Sequence, residues 1–185
     1  KLCEMAREVK EKHDIHIIFI DYVQLFNARD GYSDNRYLDL NYITRRLKEL
    51  AKELEVPVVI LSQLNRHRID GEGLEEKRPR LADLRDSGTV ADDSDMVILL
   101  HRPEYYHIYS DERGNDLHGL IEISVPKNRL GPLGRCYAKF NTSTGLMSDA
   151  SDLVDNMGFE VSDQLKKKGS IPPPPLSDPM GPLPF

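Results

Sequence analysis

Apolar positions along residues 1–145 alternate between the spacing of amphipathic helices and the short runs of buried strands. The clearest helical stretch is Arg36 to Glu55, in which leucine, isoleucine and alanine recur at steps of three and four residues. This helix is expected to stop at Val56-Pro57, because the residue before a proline avoids helical backbone angles. A shorter amphipathic helix is predicted from Leu2 to His13.

Five short apolar runs predict strands between and after these helices. They are residues 15–20, 58–61, 96–100, 120–125 and 135–140. The first three are almost continuously apolar, which is typical of strands buried on both faces of a parallel sheet. Residues 120–125 alternate, which places that strand nearer a sheet edge, with 135–140 returning beside it as a C-terminal β-hairpin. The pattern predicts an α/β fold with a mainly parallel sheet and helices on both faces.

The composition changes near residue 146, where the chain becomes first acidic and then rich in proline. Seven of its twelve prolines lie between Pro172 and Phe185. Such a segment buries too little apolar surface to offset its ordering entropy. We therefore expect a domain at residues 1–147 and a disordered tail at 148–185. The favoured role of the proline run is a spacer, and docking on a partner is the alternative.

Charge and cysteine content exclude several classes of protein. A formal net charge of -6 leaves no global positive field, so any nucleic-acid contact would need a local cationic cluster. Two distant cysteines, Cys3 and Cys136, exclude a disulfide scaffold and a cysteine-built zinc site. No apolar run is long enough to span a membrane. The six histidines are expected to be exposed or hydrogen-bonded rather than to bind a metal.

One dense cationic stretch stands out in this acidic chain. It comprises Arg66, Arg68, Lys77, Arg78, Arg80 and Arg85. This density favours binding of a phosphate backbone, without base stacking because no aromatic residues are interleaved. A solvated loop is the alternative. Gly88, which follows this stretch, is expected to end a helix and would also let a phosphate approach the backbone.

Four of the predicted strands end in polar or charged residues, namely Asp21, Gln63, Arg102 and Lys127. Because ligands of parallel sheets bind beyond the carboxyl ends of the strands, these residues are expected to share one edge. An aspartate after a buried strand suits a magnesium ion that keeps most of its water, and a glutamine can bond a phosphate. Capping and an ordinary loop start are the alternatives for these two residues.

Lys127 and Arg129 are two residues apart at a strand end, so both side chains are expected on the same face. Two adjacent cations favour an anion between them, and the Gly131-Pro132 turn that follows is rigid. These features are what an arginine finger acting on a neighbour's γ-phosphate requires. A hairpin with ordinary solvated cations is the alternative.

Taken in order, four segments resemble a single family. They are IIFIDYVQL, NRYLDLNYITRRLKELAKELEVPVVILSQLNR, KRPRLADLRDSGTVADDSDMVILLHRPEYY and PKNRLGPLG. Together they are similar to the C-terminal RecA-like domain of replicative hexameric DNA helicases of the DnaB type, over roughly residues 1–147. The resemblance implies a partial RecA-like P-loop NTPase core.

The same resemblance implies an activity and partners. The expected enzyme is a DNA helicase that hydrolyses ATP with Mg²⁺, translocates on single-stranded DNA as a homo-hexamer and unwinds duplex during DNA replication. Primase and a helicase loader are the expected partners in a primosome. The expected location is cytoplasmic, in the bacterial nucleoid or a phage-infected cell, with no membrane association.

Residue roles also follow from the resemblance. Asp21 resembles the Walker B aspartate that supports Mg²⁺ through water, and Gln63 resembles the glutamine that links the phosphate state to the DNA-binding loops. Lys127 and Arg129 resemble the finger pair that reaches into the neighbouring subunit's nucleotide site. The residues that resemble DNA-holding groups of the central channel are Arg66, Arg85, Asp86 and Gly88.

The sequence departs from the family in a few places. Asp86 stands where the family usually has Glu, and Leu130 stands where it usually has Asn. No G-x-x-x-x-G-K-[ST] loop occurs to cradle phosphates. The expectation is a chain that starts mid-domain, with that loop and the catalytic Glu upstream of Lys1, and that hydrolyses no ATP alone. The alternatives are a non-catalytic RecA-like DNA-binding or ring subunit, a RecA-like recombination ATPase and an unrelated α/β domain.

Overall fold

The computed structural model describes residues 1–27, 36–64 and 73–150, with only the backbone described for Arg36 and residues 85–89. The helices and strands in chain order are α1 (Leu2–Lys12), β1 (Ile18–Ile20), α2 (Arg36–Leu54), β2 (Val58–Ile60), α3 (Leu74–Lys77), α4 (Gly88–Asp93), β3 (Met96–His101), β4 (Leu120–Asn128), β5 (Gly134–Phe140) and β6 (Met147–Asp149). Short 3₁₀ segments lie at Val23–Leu25, Leu81–Ser87 and Pro103–Tyr106. Among these residues, no helix has both the length and the apolar character needed to cross a membrane.

The first layer consists of a parallel strand pair covered by helices. β1 and β2 pair in parallel, with Ile18 opposite Val58. The long helix α2 ends at Leu54, just before the Val56-Pro57 step, as the proline predicts. β1 covers only the last three residues of the predicted run at 15–20. The apolar core between these elements consists of Ala6, Ile20, Val23, Leu40, Ile43, Leu47 and Leu50.

The remaining strands form an antiparallel sheet in the order β3-β4-β5-β6. The predicted hairpin is confirmed, with Leu120 of β4 opposite Lys139 of β5. The placement of β4 near an edge is wrong, because β4 pairs with both β3 and β5. A mainly parallel sheet is not confirmed. A parallel return usually needs a crossover helix, whereas residues 102–119 contain only the four-residue 3₁₀ turn Pro103–Tyr106 and the chain returns antiparallel.

The apolar strands have one covered face and one open face. In β3, alternate positions are buried, whereas Met96, Ile98 and Leu100 are 49%, 54% and 55% exposed. In β1, Phe19 is 67% exposed. The expectation that these runs are buried on both faces is wrong for the described residues, because their helices pack on one side of the strands only. We call the surface formed by Met96, Ile98 and Leu100 the open face of β3.

Candidate functional site

The ends of β1 and β2 lie side by side, which brings Asp21 and Gln63 to one edge of the parallel pair. The backbone N–H of Leu61 donates to the carbonyl of Ile20 at 2.9 Å, and the N–H of Val23 donates to the carbonyl of Leu61 at 3.0 Å. Both Asp21 and Gln63 are exposed there. The parallel register therefore produces the expected meeting of these two strand ends, while the roles of the two residues stay predictions.

Gln24 ties the two strand ends together. Its side-chain Nε2 donates to the Ser62 hydroxyl at 2.8 Å, and its Oε1 accepts from the backbone N–H of Gln63 at 3.4 Å. These hydrogen bonds connect the segment after β1 with the segment after β2. The sequence analysis missed Gln24. Its only signal in the sequence is its position three residues after Asp21, which many loop residues share.

The chemistry of this edge fits a hydrated magnesium ion. The described residues contain no group of three or more His, Cys, Asp or Glu side chains arranged to hold a metal ion. Asp21 supplies one exposed carboxylate. Mg²⁺ usually keeps several waters and needs only one or two protein carboxylates beside its phosphate ligands. Asp21 could therefore hold such an ion through water, and the amide of Gln63 could bond a nearby phosphate oxygen.

Arg102 does not belong to this edge, although the sequence placed it there. β3 and β4 are antiparallel, so His101 lies opposite Glu122 and Val97 lies opposite Lys127. Arg102 and Lys127 consequently lie at opposite ends of the β3-β4 pair. The guanidinium of Arg102 instead lies over the ring of Phe140, 4.9 Å from its centroid. The expectation of four strand ends at one edge is wrong, because among the described strands only β1 and β2 run in parallel.

Lys127 and Arg129 converge on the C-terminal end of α4. The Lys127 Nζ donates to the carbonyls of Ala91 and Asp92 at 2.5 and 3.0 Å. The Arg129 Nη2 also donates to the Asp92 carbonyl, at 2.8 Å. Cations are favourable at this end of a helix, where carbonyl groups lack intrahelical partners. The two side chains thus lie on one side of the hairpin, as their spacing predicts.

Asp95, which the sequence analysis missed, is the carboxylate beside Arg129. Arg129 Nη1 lies 3.2 Å from Asp95 Oδ1, and the backbone N–H of Arg129 donates to the Asp95 carbonyl at 2.8 Å. The other carboxylate oxygen accepts from Lys48 of α2. The hydrogen bond from Lys48, together with the positive charges of Lys48 and Arg129, lowers the pKa of the Asp95 carboxyl. An acidic residue before a strand is too common for the sequence to have singled it out.

The predicted DNA-contacting residues are described only in part. Arg66 lies in residues 65–72, outside the described structure, and the side chains of Arg85 and Asp86 are likewise outside it. The backbone is helical on both sides of residue 88, first as the 3₁₀ segment Leu81–Ser87 and then as α4. The expected order of a short helix ending at Gly88, a further helical turn and a strand is confirmed, since the first segment ends at Ser87 and Gly88 is the first residue of α4.

Arg78, part of the cationic stretch, has a structural role instead. Its Nε and Nη2 donate to the two carboxylate oxygens of Glu122, each at 2.8 Å, and the two side chains are 8% and 1% exposed. The Tyr137 hydroxyl donates to the same carboxylate at 2.8 Å. Burial, together with the charge of Glu122, raises the pKa of Tyr137 to about 12, which keeps that hydroxyl protonated. This network is too enclosed to contact nucleic acid.

His101 contradicts the expectation that every histidine is exposed or hydrogen-bonded. It is 3% exposed, and neither ring nitrogen has a hydrogen-bond partner among the described residues. Its ring stacks on Tyr106 with 5.6 Å between centroids. Burial is the main cause that lowers the pKa of His101, and Arg78 and Arg135 lower it further, against the charge of Glu122. The sequence analysis could not foresee this burial, because His101 directly follows an apolar run like a strand-end residue.

Comparison with known proteins places this arrangement in a family. A family model described as the DnaB-like helicase C terminal domain matches residues 1–149. The chain belongs to the DnaB-like helicase C-terminal domain family. Over 144 residues it is 43% identical to a probable plasmid replicative DNA helicase of Chlamydia psittaci, and the match covers 78% of this chain and 29% of that protein. It is 44% identical over 137 residues to the replicative DNA helicase DnaB of Haemophilus influenzae, covering 74% of this chain and 27% of that protein.

Solved structures of DnaB-like proteins share the fold. A DnaB-like replicative helicase, studied with its interactions with primase, matches with a TM-score of 0.68 and 33% identity, over 80% of this chain and 34% of that chain. A solved ATPase domain matches with a TM-score of 0.69 and 31% identity, over 80% of this chain and 50% of that chain. The chain spans less than a third of the length of the relatives from Chlamydia psittaci and Haemophilus influenzae.

Proposed function

We propose that the protein to which this chain belongs is a replicative DNA helicase that hydrolyses ATP with Mg²⁺ and translocates on single-stranded DNA as a homo-hexamer. The observation that carries the proposal is the junction of Asp21, Gln24 and Gln63 at the carboxyl edge of the parallel pair. Membership of the DnaB-like family and relatives named as replicative DNA helicases support the same conclusion. We also propose that residues 1–147 form part of a RecA-like core and that residues 148–185 are a tail.

The nucleotide side of the proposal uses two residues of one subunit. Asp21 holds the water shell of the magnesium ion that accompanies the ATP phosphates. Gln63 bonds a phosphate oxygen, and Gln24 carries a change at Gln63 back to the end of β1. ATP supplies the phosphoryl group whose transfer to water drives translocation. No residue of this sequence is proposed to form the phosphate-binding loop.

The neighbouring subunit supplies positive charge in this proposal. Lys127 at the end of β4 and Arg129 at the start of the hairpin turn both donate to the Asp92 carbonyl, and the Arg129 side chain is 49% exposed, so another chain can reach it. Negative charge spreads over the γ-phosphoryl oxygens as the bond to the leaving group breaks. A cation fixed beside those oxygens stabilises the transition state more than the bound nucleotide.

Three of the four proposed DNA-contacting residues lie at or directly before the start of α4. Arg66, Arg85, Asp86 and Gly88 contact the strand, with the arginines and backbone groups taking phosphate oxygens and no base being read. Residues 85–88 lead directly into α4, whose other end is held by Lys127 and Arg129. A primase and a helicase loader are the proposed partners of the whole protein, which acts in the cytoplasm. A solved relative was studied with primase, which supports the first of these.

Subunit mixing of the full-length protein tests the proposal. Asp21→Asn is expected to lower DNA-stimulated ATP hydrolysis about 10- to 100-fold. Arg129→Ala is expected to lower it by about 1,000-fold or more. If the two residues act across a subunit interface, mixed rings contain some interfaces with both residues intact. The mixture is then expected to hydrolyse ATP faster than either variant alone.

The matched control replaces the Arg129→Ala partner with a chain that carries both substitutions. Mixing this double variant with Asp21→Asn restores no interface, so no recovery is expected. Recovery in the control, or none in the test mixture, would contradict an active site shared between subunits. Full activity of Arg129→Ala would contradict the finger role of that residue.

A further inference from the structure

Asp95 holds Arg129 at both ends of the residue. The Asp95 backbone carbonyl accepts from the Arg129 backbone N–H at 2.8 Å, which fixes the backbone position of Arg129. Its carboxylate Oδ1 lies 3.2 Å from Nη1, and the Asp92 carbonyl accepts from Nη2 at 2.8 Å. Both terminal nitrogens of the guanidinium are therefore oriented, one by Asp92 at the end of α4 and one by Asp95 in the loop that follows it.

The guanidinium keeps donors available for a ligand in this position. A guanidinium carries five N–H donors, and Arg129 uses one on Asp95 and one on Asp92. Its Nε makes no hydrogen bond with the described residues. The side chain is 49% exposed. The contacts thus fix the plane of the group without consuming the donors that a phosphate oxygen would need.

Lys48 holds the Asp95 carboxylate from the opposite side. Its Nζ, on helix α2, donates to Oδ2 while Arg129 occupies Oδ1. α2 is a 19-residue helix packed in the core of the first layer, so it is a stable support. The carboxylate is thereby held between a core helix and the hairpin that carries Arg129.

We propose that Asp95 is a positioning residue, which aims the Arg129 guanidinium at the γ-phosphate of the nucleotide bound by the neighbouring subunit. Lys48 in turn orients Asp95. This inference rests on the proposed finger role of Arg129. A long arginine side chain loses catalytic value when it samples many rotamers, because transition-state stabilisation depends on a donor already in place. Asp95 removes that freedom before the nucleotide arrives.

A purely structural role of Asp95 would lower the melting temperature when its charge is lost, whereas a positioning role would lower kcat. The side chains of Asp95 and Arg129 are 56% and 49% exposed, and exposed ion pairs contribute little to folding stability. Loss of the carboxylate charge should therefore leave the melting temperature unchanged and act on catalysis. Since the finger acts in the transition state, kcat is expected to fall while KM for ATP changes little.

The experiment uses the full-length protein and Asp95→Asn. DNA-stimulated hydrolysis is expected to lose about 10- to 100-fold in kcat, with KM for ATP within about twofold and an unchanged melting temperature. The matched control is Asp93→Asn. Asp93 accepts from the Thr44 hydroxyl at 2.9 Å and so ties the same end of α4 to α2 without touching Arg129. This control is expected to keep normal kcat, and an equal loss in it would overturn the proposal.

A double-substitution cycle tests whether Asp95 acts through Arg129. In an Arg129→Lys background, Asp95→Asn is expected to lower kcat little further. A lysine has one nitrogen and cannot contact Asp95 Oδ1 and the Asp92 carbonyl through separate nitrogens as Arg129 does. The same fold loss in both backgrounds, or normal kcat for Asp95→Asn alone, would overturn the inference. If Arg129→Ala leaves hydrolysis intact, the proposed function of Arg129 is wrong as well. If Arg129→Ala is inactive but Asp95→Asn is normal, only the positioning role is wrong.

Discussion

Gln24 donates from its side-chain Nε2 to the Ser62 hydroxyl at 2.8 Å, across the gap between the ends of the two parallel strands. Its Oε1 accepts from the backbone of the next residue, Gln63. One side chain thus joins the segment after Asp21 to the segment that leads towards the predicted DNA-contacting residue Arg66. In the proposed helicase, Gln24 would connect the strand end that carries Asp21 with the segment that precedes Arg66.

Replacing Gln24 with leucine should uncouple these two sites. The substitution keeps the volume but removes the hydrogen bonds to Ser62 and Gln63, so DNA should stimulate ATP hydrolysis about tenfold less. Hydrolysis without DNA should change little, because Asp21 is untouched. Ser62→Ala removes only one of the two bonds and should give a smaller loss. Unchanged stimulation in Gln24→Leu would show that the junction carries no signal.

Replacing Glu122 with glutamine should destabilise the antiparallel sheet. The pair with Arg78 is buried, and removing the Glu122 charge leaves Arg78 with the more exposed Glu75 as its carboxylate partner, so we expect a cost of up to about 3–5 kcal/mol, that of a broken buried pair. The expected result is a lower thermal unfolding transition of this domain in the full-length protein, measured by circular dichroism. Glu53→Gln is the matched control, since Glu53 pairs with Arg7 at 2.6 Å on the surface and its loss should have no measurable effect. Equal transitions for the two variants would refute the structural role.

The buried His101 should make stability depend on pH. Its pKa is lowered by burial, so the folded state takes up a proton only below the pH at which the unfolded chain does, about 6.5. Between those two values the unfolded state binds more protons, and stability is therefore lost as the pH falls from about 7. The charged groups around the ring oppose one another, with Glu122 favouring protonation and Arg78 and Arg135 disfavouring it.

The check is to compare urea unfolding at pH 7.5 and below pH 6 in His101→Phe. This variant keeps an aromatic ring against Tyr106 but cannot take up a proton, so its stability should fall less over this range. His16→Gln is the control, because the His16 side chain is 81% exposed. An identical pH dependence in wild type and His101→Phe would exclude His101 as its source.

The elements with the strongest periodicity were the predictable ones. The apolar stripe in residues 36–55 and the proline after it predict α2 well. The apolar strands before and after that helix form a parallel pair, so the sequence could predict that Asp21 and Gln63 lie at the same sheet edge. The second sheet was not predictable in the same way. An apolar run has the same pattern in parallel and antiparallel strands. Nothing in residues 96–100 therefore indicated that Arg102 and Lys127 would lie at opposite ends of the β3-β4 pair.

The residues that support the candidate site were harder to find than those within it. Gln24 and Asp95 are single polar residues in loops, and only the tertiary structure gives them partners, Ser62 for one and Lys48 with Arg129 for the other. Arg78 shows the opposite error. It counted towards a cationic stretch along the sequence, but its charge is neutralised by a glutamate 44 residues away.

The open face of β3 bears on how this domain associates. Met96, Ile98 and Leu100 expose about half of their surface on a strand that begins directly after Asp95. An uncovered apolar strip of this kind favours self-association until another apolar surface packs on it. A domain in which this face stays uncovered is therefore expected to associate with a second copy through β3.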